Sequence, residues 1–375
     1  MGGQCRGAHG GVQPRGAVRL VEAIVLVGGL GTRLRPLTLD TPKPMLPVAG
    51  VPFLTHQLAR LAAAGVDHVV LATSYRPEVF EAHFGDGAGL GLRVDYVTET
   101  EPLGTGGGIR NVAPMLTSAP GDPVVVLNGD VLSGHDIAAQ LAVHADGNAA
   151  VTLHLVRVED PRAFGSVPTD ESGRVTAFVE KSPEPVSDQI NAGCYIFRRS
   201  IIDDIPAGEV VSVERVTFPA LLASGQPVLG YVDNAYWLDV GTPAAIVQAS
   251  ADLVRGVAPS PAVAAPGPAL VAPTATVHDS ASVRGGSAVA DGVTIGAGTV
   301  IDASIVLPGA RVEDDAEVVR SVVGAGAVVG AGCRLVDVVV GAGARLGARN
   351  ELVQGARVWP GVTLPDVAVR FSTDA

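Results

Sequence analysis

Lysine is almost absent from this chain: of 26 basic residues in 375, only Lys43 and Lys181 are lysines and the rest are arginine. A sequence that uses arginine wherever a surface cation suffices marks its two lysines as candidates for positions needing a compact ammonium. Basic charge as a whole is short, with a formal net charge of −12. No basic face is therefore left to neutralise a nucleic-acid backbone, and a small anionic ligand would need local cations and a metal ion. Cys5, Cys194 and Cys333 are the only cysteines and stand far apart. They exclude a disulfide framework and a Cys-x-x-Cys zinc site, and fit reduced intracellular thiols. No run of about 18 apolar residues exists to span a membrane. The Gly/Arg-rich residues 1–20 lack the apolar centre of a secretory signal and read as a disordered tail, so a cytoplasmic location is expected. Aromatics make up 4% against 47% hydrophobic residues, so the core is built from Val, Ala, Leu and Ile. The histidines show no ligand spacing, and no Ser/His/Asp or Cys/His arrangement stands out.

What is present starts at Val25-Leu26-Val27-Gly28-Gly29-Leu30-Gly31-Thr32-Arg33. The apolar run 23–27 reads as a short buried strand ending at glycines. Three glycines in four positions let backbone approach a ligand where a Cβ would collide. A glycine turn after a strand also presents free N–H groups to phosphate. Alone, such a loop is equally an ordinary tight turn. Arg33, and Lys43 framed by Pro42 and Pro44, add charge on stiffened backbone and favour anion binding.

The spacing predicts a helix over 53–64, a strand over 67–73, a helix over 77–84 and a strand over 92–97. A helix over 109–116 and a strand over 123–127, ending in Asn128-Gly129-Asp130, follow. Alternation of this kind predicts an α/β fold, a Rossmann-like domain with a mixed, mainly parallel sheet. Ligands of such sheets sit beyond the carboxyl ends of strands, where Gly28–Arg33 and Asp130 both fall. Strands over 151–158, 175–179, 192–197 and 228–239, then a helix over 243–254, complete a domain over 21–256. Residues 257–273 read as a Pro/Ala linker. From there apolar residues recur every six positions, with the step cut to five at Val306, Val323 and Val340, a spacing of 17. Three short strands per turn with small turn residues predict a hexapeptide β-helix over 274–366.

Val27 to Thr38 with Pro42-Lys43-Pro44 resembles the signature of sugar-1-phosphate nucleotidylyltransferases. Leu103-Gly104-Thr105, Asn128-Gly129-Asp130, Gly165, Glu180-Lys181, Asn191-Ala192-Gly193, Glu214 before Phe218-Pro219, and Trp237-Leu238-Asp239-Val240-Gly241-Thr242-Pro243 follow in that family's order. The resemblance runs from residue 22 to 365 and implies that the β-helix is left-handed. It is finest, through Glu99–Thr105 and Asn350–Pro360, to the branch that transfers guanylyl to mannose-1-phosphate. Two departures stand out: Ser182 is inserted before Pro183, and Gly106 replaces a usual alanine.

The resemblance implies Mg²⁺-dependent transfer from an NTP, here GTP, to a sugar-1-phosphate. It implies Arg33 on the β- and γ-phosphates, Lys43 near the α-phosphate, and Asp130 and Asp239 on Mg²⁺. Singly, each aspartate is as readily a turn cap. Val27, Gly28, Gly29, Gly31, Thr32, Gly104 and Thr105 would surround the nucleotide. Lys181 would hold the sugar phosphate, Glu180 and Asn191 the sugar hydroxyls, and Gly165 would leave room for the ring. The base can be argued from chemistry. Guanine offers two adjacent donors, N1–H and N2–H₂, which one carboxylate accepts together, so Glu99, with Glu101 as understudy, is the expected reader. A solvated acidic loop is the plain alternative. Rival readings are the same fold making UDP-, dTDP- or ADP-glucose, and a regulatory paralogue that binds nucleotide-sugars without making them. Acetyl transfer in the β-helix is disfavoured, because His278 is the only histidine after residue 154. The β-helix is expected to pack on the catalytic domain and on a second subunit, giving a homo-oligomer.

Overall fold

The computed structural model describes residues 21–263 and 265–370, and the tail reading of residues 1–20 lies outside them. No helix among the described residues is long and apolar enough to cross a membrane.

Strand β1 (Val21–Leu26), buried through Glu22, Ala23, Ile24 and Val25, forms the middle of a nine-stranded sheet. In chain order follow α1 (Phe53–Ala63), β2 (Val66–Thr73), α2 (Pro77–Phe84), β3 (Arg93–Thr98), α3 (Gly104–Val112) and β4 (Pro123–Asn128). Next come β5 (Val131–Ser133), α4 (Ile137–Asp146), β6 (Val151–Arg157), β7 (Gly165–Ser166), β8 (Val179–Glu180) and β9 (Gln189–Arg198). The unit ends with β10 (Val228–Asp233), β11 (Trp237–Asp239) and α5 (Pro243–Arg255). The sheet order is β8-β7-β9-β4-β1-β2-β3, with β6 between β9 and β10. Strands β4, β1, β2 and β3 are parallel, whereas β9 runs antiparallel to its neighbours, so the expected mixed sheet is present.

Four segments depart from the spacing-based reading. Helix α3 starts at Gly104 rather than Ile109, through glycines that intrinsic propensity disfavours. Close packing explains them: a Cβ on Gly106 would stand 2.8 Å from Val211 Cγ1, and one on Gly107 2.6 Å from the Glu209 carbonyl oxygen. The stretch 175–179 is not one strand, since Val175 makes an isolated bridge to Thr169 and a bond to the Val228 carbonyl, and strand pairing resumes at Val179. The run 228–239 splits, because β10 joins the main sheet beside β6 while β11 pairs with β5. The stretch read as a linker carries a strand, Ala269–Val271, paired in parallel with Ser287–Val289.

That strand opens three stacks of short parallel strands, the arrangement of a left-handed β-helix. Inward valines, isoleucines and leucines from every coil fill its interior. The corner where the step shortens carries a ladder of polar contacts. At this corner the buried Ser287, Ser304 and Ser321 hydroxyls each accept the amide of Ser304, Ser321 and Val338 one coil on, all at 3.0 Å.

Candidate active site

A cavity of about 350 Å³ opens at the carboxyl ends of β1 and β4. The glycine loop forms one wall in a conformation that needs glycine: Gly29 has φ 121° and Gly31 φ 56°. A Cβ on Gly31 would press on Lys43 Cβ and Thr38 Cγ2, both at 3.1 Å, and Thr38 Oγ1 donates to the Gly31 carbonyl at 2.8 Å. Beyond it Thr32–Leu34 makes one 3₁₀ turn. Leu34 is wholly buried there, while Thr32 and Arg33 stay exposed beside the cavity. Val27 belongs underneath. Its side chain is in the core and its amide bonds to the Ala72 carbonyl, so it supports the loop rather than lining it.

Asp130 closes the opposite side, and Asp239 stands beside it. Asp130 follows β4 and Asp239 ends β11, which pairs with β5; the Val240 amide donates to the Asp130 carbonyl at 2.9 Å. Lys43 Nζ donates to Asp130 Oδ2 at 2.8 Å. Asp239 Oδ1 is buried without a hydrogen-bond partner. Burial, then the charge of Asp130, push the Asp239 carboxyl above the usual carboxylate range, while Lys43, Arg33 and Lys181 pull the other way. Gly241 keeps this group open, since a Cβ there would stand 2.6 Å from Arg33 Nη2 and 2.9 Å from Asp239 Oδ1. An orphaned carboxylate oxygen beside a second carboxylate suits a hard divalent cation. Among the described residues no group of three or more His, Cys, Asp or Glu could hold a metal. Ligand oxygens or water must therefore complete its shell.

A second pocket of about 400 Å³ adjoins, sharing Leu26, Gly28, Gly29 and Thr105 with the first. Glu99 lines it, half-buried, with its amide bonded to the Thr73 carbonyl at 2.8 Å. Burial raises the Glu99 carboxyl above its ordinary value. The carboxylate lies against α3, where a Cβ on Gly108 would meet Glu99 Oε1 at 2.6 Å. Glu101 is exposed and lines neither cavity. Gly104, with φ 72°, opens α3, and Thr105 is its second residue. The Thr105 hydroxyl is already engaged, donating to Glu214 Oε2 at 2.8 Å and accepting the Val213 amide at 3.0 Å.

The remaining expected residues surround β7 and β8. Gly165 pairs with Glu180, and a Cβ on it would meet Glu180 Oε2 at 2.8 Å and the Phe178 ring at 3.0 Å. Gly165 therefore makes room first for protein groups. Burial raises the Glu180 carboxyl, opposed by Lys181. Lys181 is exposed, in left-handed backbone at φ 46°, with Nζ 3.7 Å from Glu180 Oε1. Asn191 is committed at both ends of its amide: Nδ2 donates to the Tyr195 hydroxyl at 2.9 Å and Oδ1 accepts the Gly193 amide at 3.1 Å. Trp237 Nε1 donates to the Ala192 carbonyl, tying this region to the strand that ends in Asp239. The inserted Ser182 closes a local turn with Glu184.

Sequence reasoning missed Ser74 and Tyr75, which line the Glu99 pocket. Ser74 Oγ accepts the Gly29 amide at 3.3 Å. Their place just past the carboxyl end of β2 was the available signal.

The family described as Nucleotidyl transferase matches residues 22–256, and the GMPPB C-terminal domain matches residues 265–369. The chain is 58% identical over 360 residues to a mannose-1-phosphate guanylyltransferase of Mycobacterium tuberculosis, covering 96% of this chain and 99% of that one. It is 40% identical over 225 residues to mannose-1-phosphate guanylyltransferase 1 of Arabidopsis thaliana, 60% of this chain and 62% of the relative. Among solved structures, HddC from Yersinia pseudotuberculosis aligns with a TM-score of 0.52 at 30% identity, over 61% of this chain and 97% of that one.

Proposed function

The chain belongs to the nucleotidyl transferase family, and we propose that it moves the guanylyl group of GTP onto mannose-1-phosphate, giving GDP-mannose and pyrophosphate. One observation carries this reading. Arg33, Lys43 and Asp130 line one cavity, with the Asp239 carboxylate beside Asp130 and Gly241 at its edge, and that cavity adjoins a pocket lined by Glu99. The identity to the mycobacterial guanylyltransferase over nearly both whole chains supports the choice of base and sugar.

The attacking sugar-phosphate oxygen is already an anion and needs no general base. Its bond to the α-phosphorus forms as the bond to the bridging oxygen breaks, and that electron pair leaves with pyrophosphate. The work left to the protein is positioning and charge neutralisation. The Arg33 fork, kept clear by Gly241, holds the terminal phosphates, and Lys43 meets the α-phosphate. Asp130 and Asp239 would hold Mg²⁺, which when bound neutralises charge on phosphate oxygens. Glu99 accepts both guanine donors, and a site built on such a pair rejects bases that lack one of them. Lys181 and Glu180 take the sugar phosphate and its hydroxyls, while Asn191 shapes the wall through Tyr195 and Gly193. We assign the chemistry to residues 21–256, a contact between subunits to the β-helix, and the cytoplasm as the place of action.

Phosphorus NMR of the full chain with GTP, mannose-1-phosphate and Mg²⁺ tests the reading. GDP-mannose and pyrophosphate in equal amounts are expected. A mixture that stays unchanged with GTP but turns over with UTP or dTTP would discard the guanine assignment.

A further inference from the structure

One face of the β-helix packs against α5, and its outward rungs are Ala288, Ile305, Val322, Val339 and Arg357. The first four are apolar, at most 5% exposed, and share a core cluster with Ile246 and Leu253 of α5 and with Leu34 of the glycine loop. The fifth breaks the series. Arg357 is an exposed arginine, and its Nη1 donates to the Arg35 carbonyl at 2.7 Å. The coil that delivers it also differs. Rungs are 17 residues apart from Ala288 to Val339 but 18 apart from Val339 to Arg357, and Gln354 and Gly355 in the lengthened turn take φ of 56° and 81°. At this level the two units are separated by a cleft of about 560 Å³ that Arg357 lines together with Thr242 and Pro243, the residues directly after Gly241. Packing alone would be served by another valine.

We propose that Arg357 is a positioning residue for the nucleotide. It holds the backbone two residues past Arg33, while Leu34 between them is buried in the core cluster that also contains that β-helix face. The β-helix thereby fixes the segment from which the Arg33 fork reaches the terminal phosphates. This rests on the assignment of Arg33 to those phosphates.

Calorimetric binding of GTP, pyrophosphate and GMP to the full chain tests it, with Arg357→Leu as the variant that continues the apolar ladder. GTP and pyrophosphate should bind about tenfold more weakly, the equivalent of one charge-assisted hydrogen bond. GMP, which lacks the terminal phosphates, should bind unchanged, and the melting temperature should not fall. Arg357→Lys, which can still donate, should recover part of the loss. GTP affinity within twofold of the wild type, or equal weakening of GTP and GMP, would overturn the proposal while leaving the guanylyl-transfer reading intact. Wild-type protein that binds none of the three would remove that reading and this inference together.

Discussion

Lys43 and Asp130 neutralise one another: the ammonium donates to Asp130 Oδ2 at 2.8 Å, with the lysine side chain only 14% exposed. The group assigned to the α-phosphate thus occupies the group assigned to the cation. A divalent cation arriving at Asp130 competes with Lys43 for its charge, and the exchange frees the ammonium toward phosphate. Lys43→Met should therefore bind Mn²⁺ more tightly than wild type without nucleotide, by EPR titration. Its turnover should still fall by about 10²–10³-fold, the usual loss for one positioned donor. Weaker Mn²⁺ binding in the variant would contradict the exchange.

Asp239 carries an unpartnered buried oxygen beside Asp130. Its carboxyl titrates above the usual range in the fold, so its ionised form is disfavoured there relative to the unfolded chain. Without divalent cation, stability should fall as pH rises through that raised value. Asp239→Asn should lose this dependence, melt no lower than wild type, and show no stabilisation by Mg²⁺. Thermal melts from pH 4 to 8, with and without Mg²⁺, check all three.

Glu99 must be ionised to accept two donors from guanine, and burial raises its carboxyl. GTP affinity should accordingly weaken on acidification at a higher pH than an ordinary carboxylate would allow. Glu99→Gln should abolish that dependence and cut the preference for GTP over ATP by at least about tenfold. An unchanged preference would contradict Glu99 as the reader of the base.

The glycines of α3 separate packing from recognition. A Cβ at residue 107 meets backbone, the Glu209 carbonyl oxygen at 2.6 Å, so Gly107→Ala should destabilise by about 1–3 kcal/mol in denaturant melts. A Cβ at residue 108 meets instead the carboxylate end of the Glu99 side chain. Gly108→Ala should keep most of its stability and lose GTP affinity.

The long periodic elements were legible in the sequence because pattern and packing agree. Helix α2 spans Pro77–Phe84 as its spacing implies, and the six-residue repeat runs through the β-helix core. Helix α3 was read short because its glycines answer to neighbours distant in sequence, Glu209 and Val211, which no local rule contains. Trp237–Asp239 ran on from Val228–Asp233 in pattern, yet it leaves the main sheet to bring Asp239 beside Asp130. At the site, charged residues in motifs were legible, and the structure gathers Arg33, Lys43, Asp130 and Asp239. The commitments of the Asn191 amide and the Thr105 hydroxyl were not, since those side chains are bound to Tyr195 and Glu214.

The most direct test is the initial rate of Mg²⁺-dependent pyrophosphate release with GTP, ATP, UTP and dTTP, each against mannose-, glucose- and N-acetylglucosamine-1-phosphate. The account predicts its highest rate with GTP and mannose-1-phosphate, and loss of that rate in Asp239→Asn. A higher rate with a pyrimidine nucleotide would contradict the role given to Glu99, and release from no pair would contradict catalysis at this cavity.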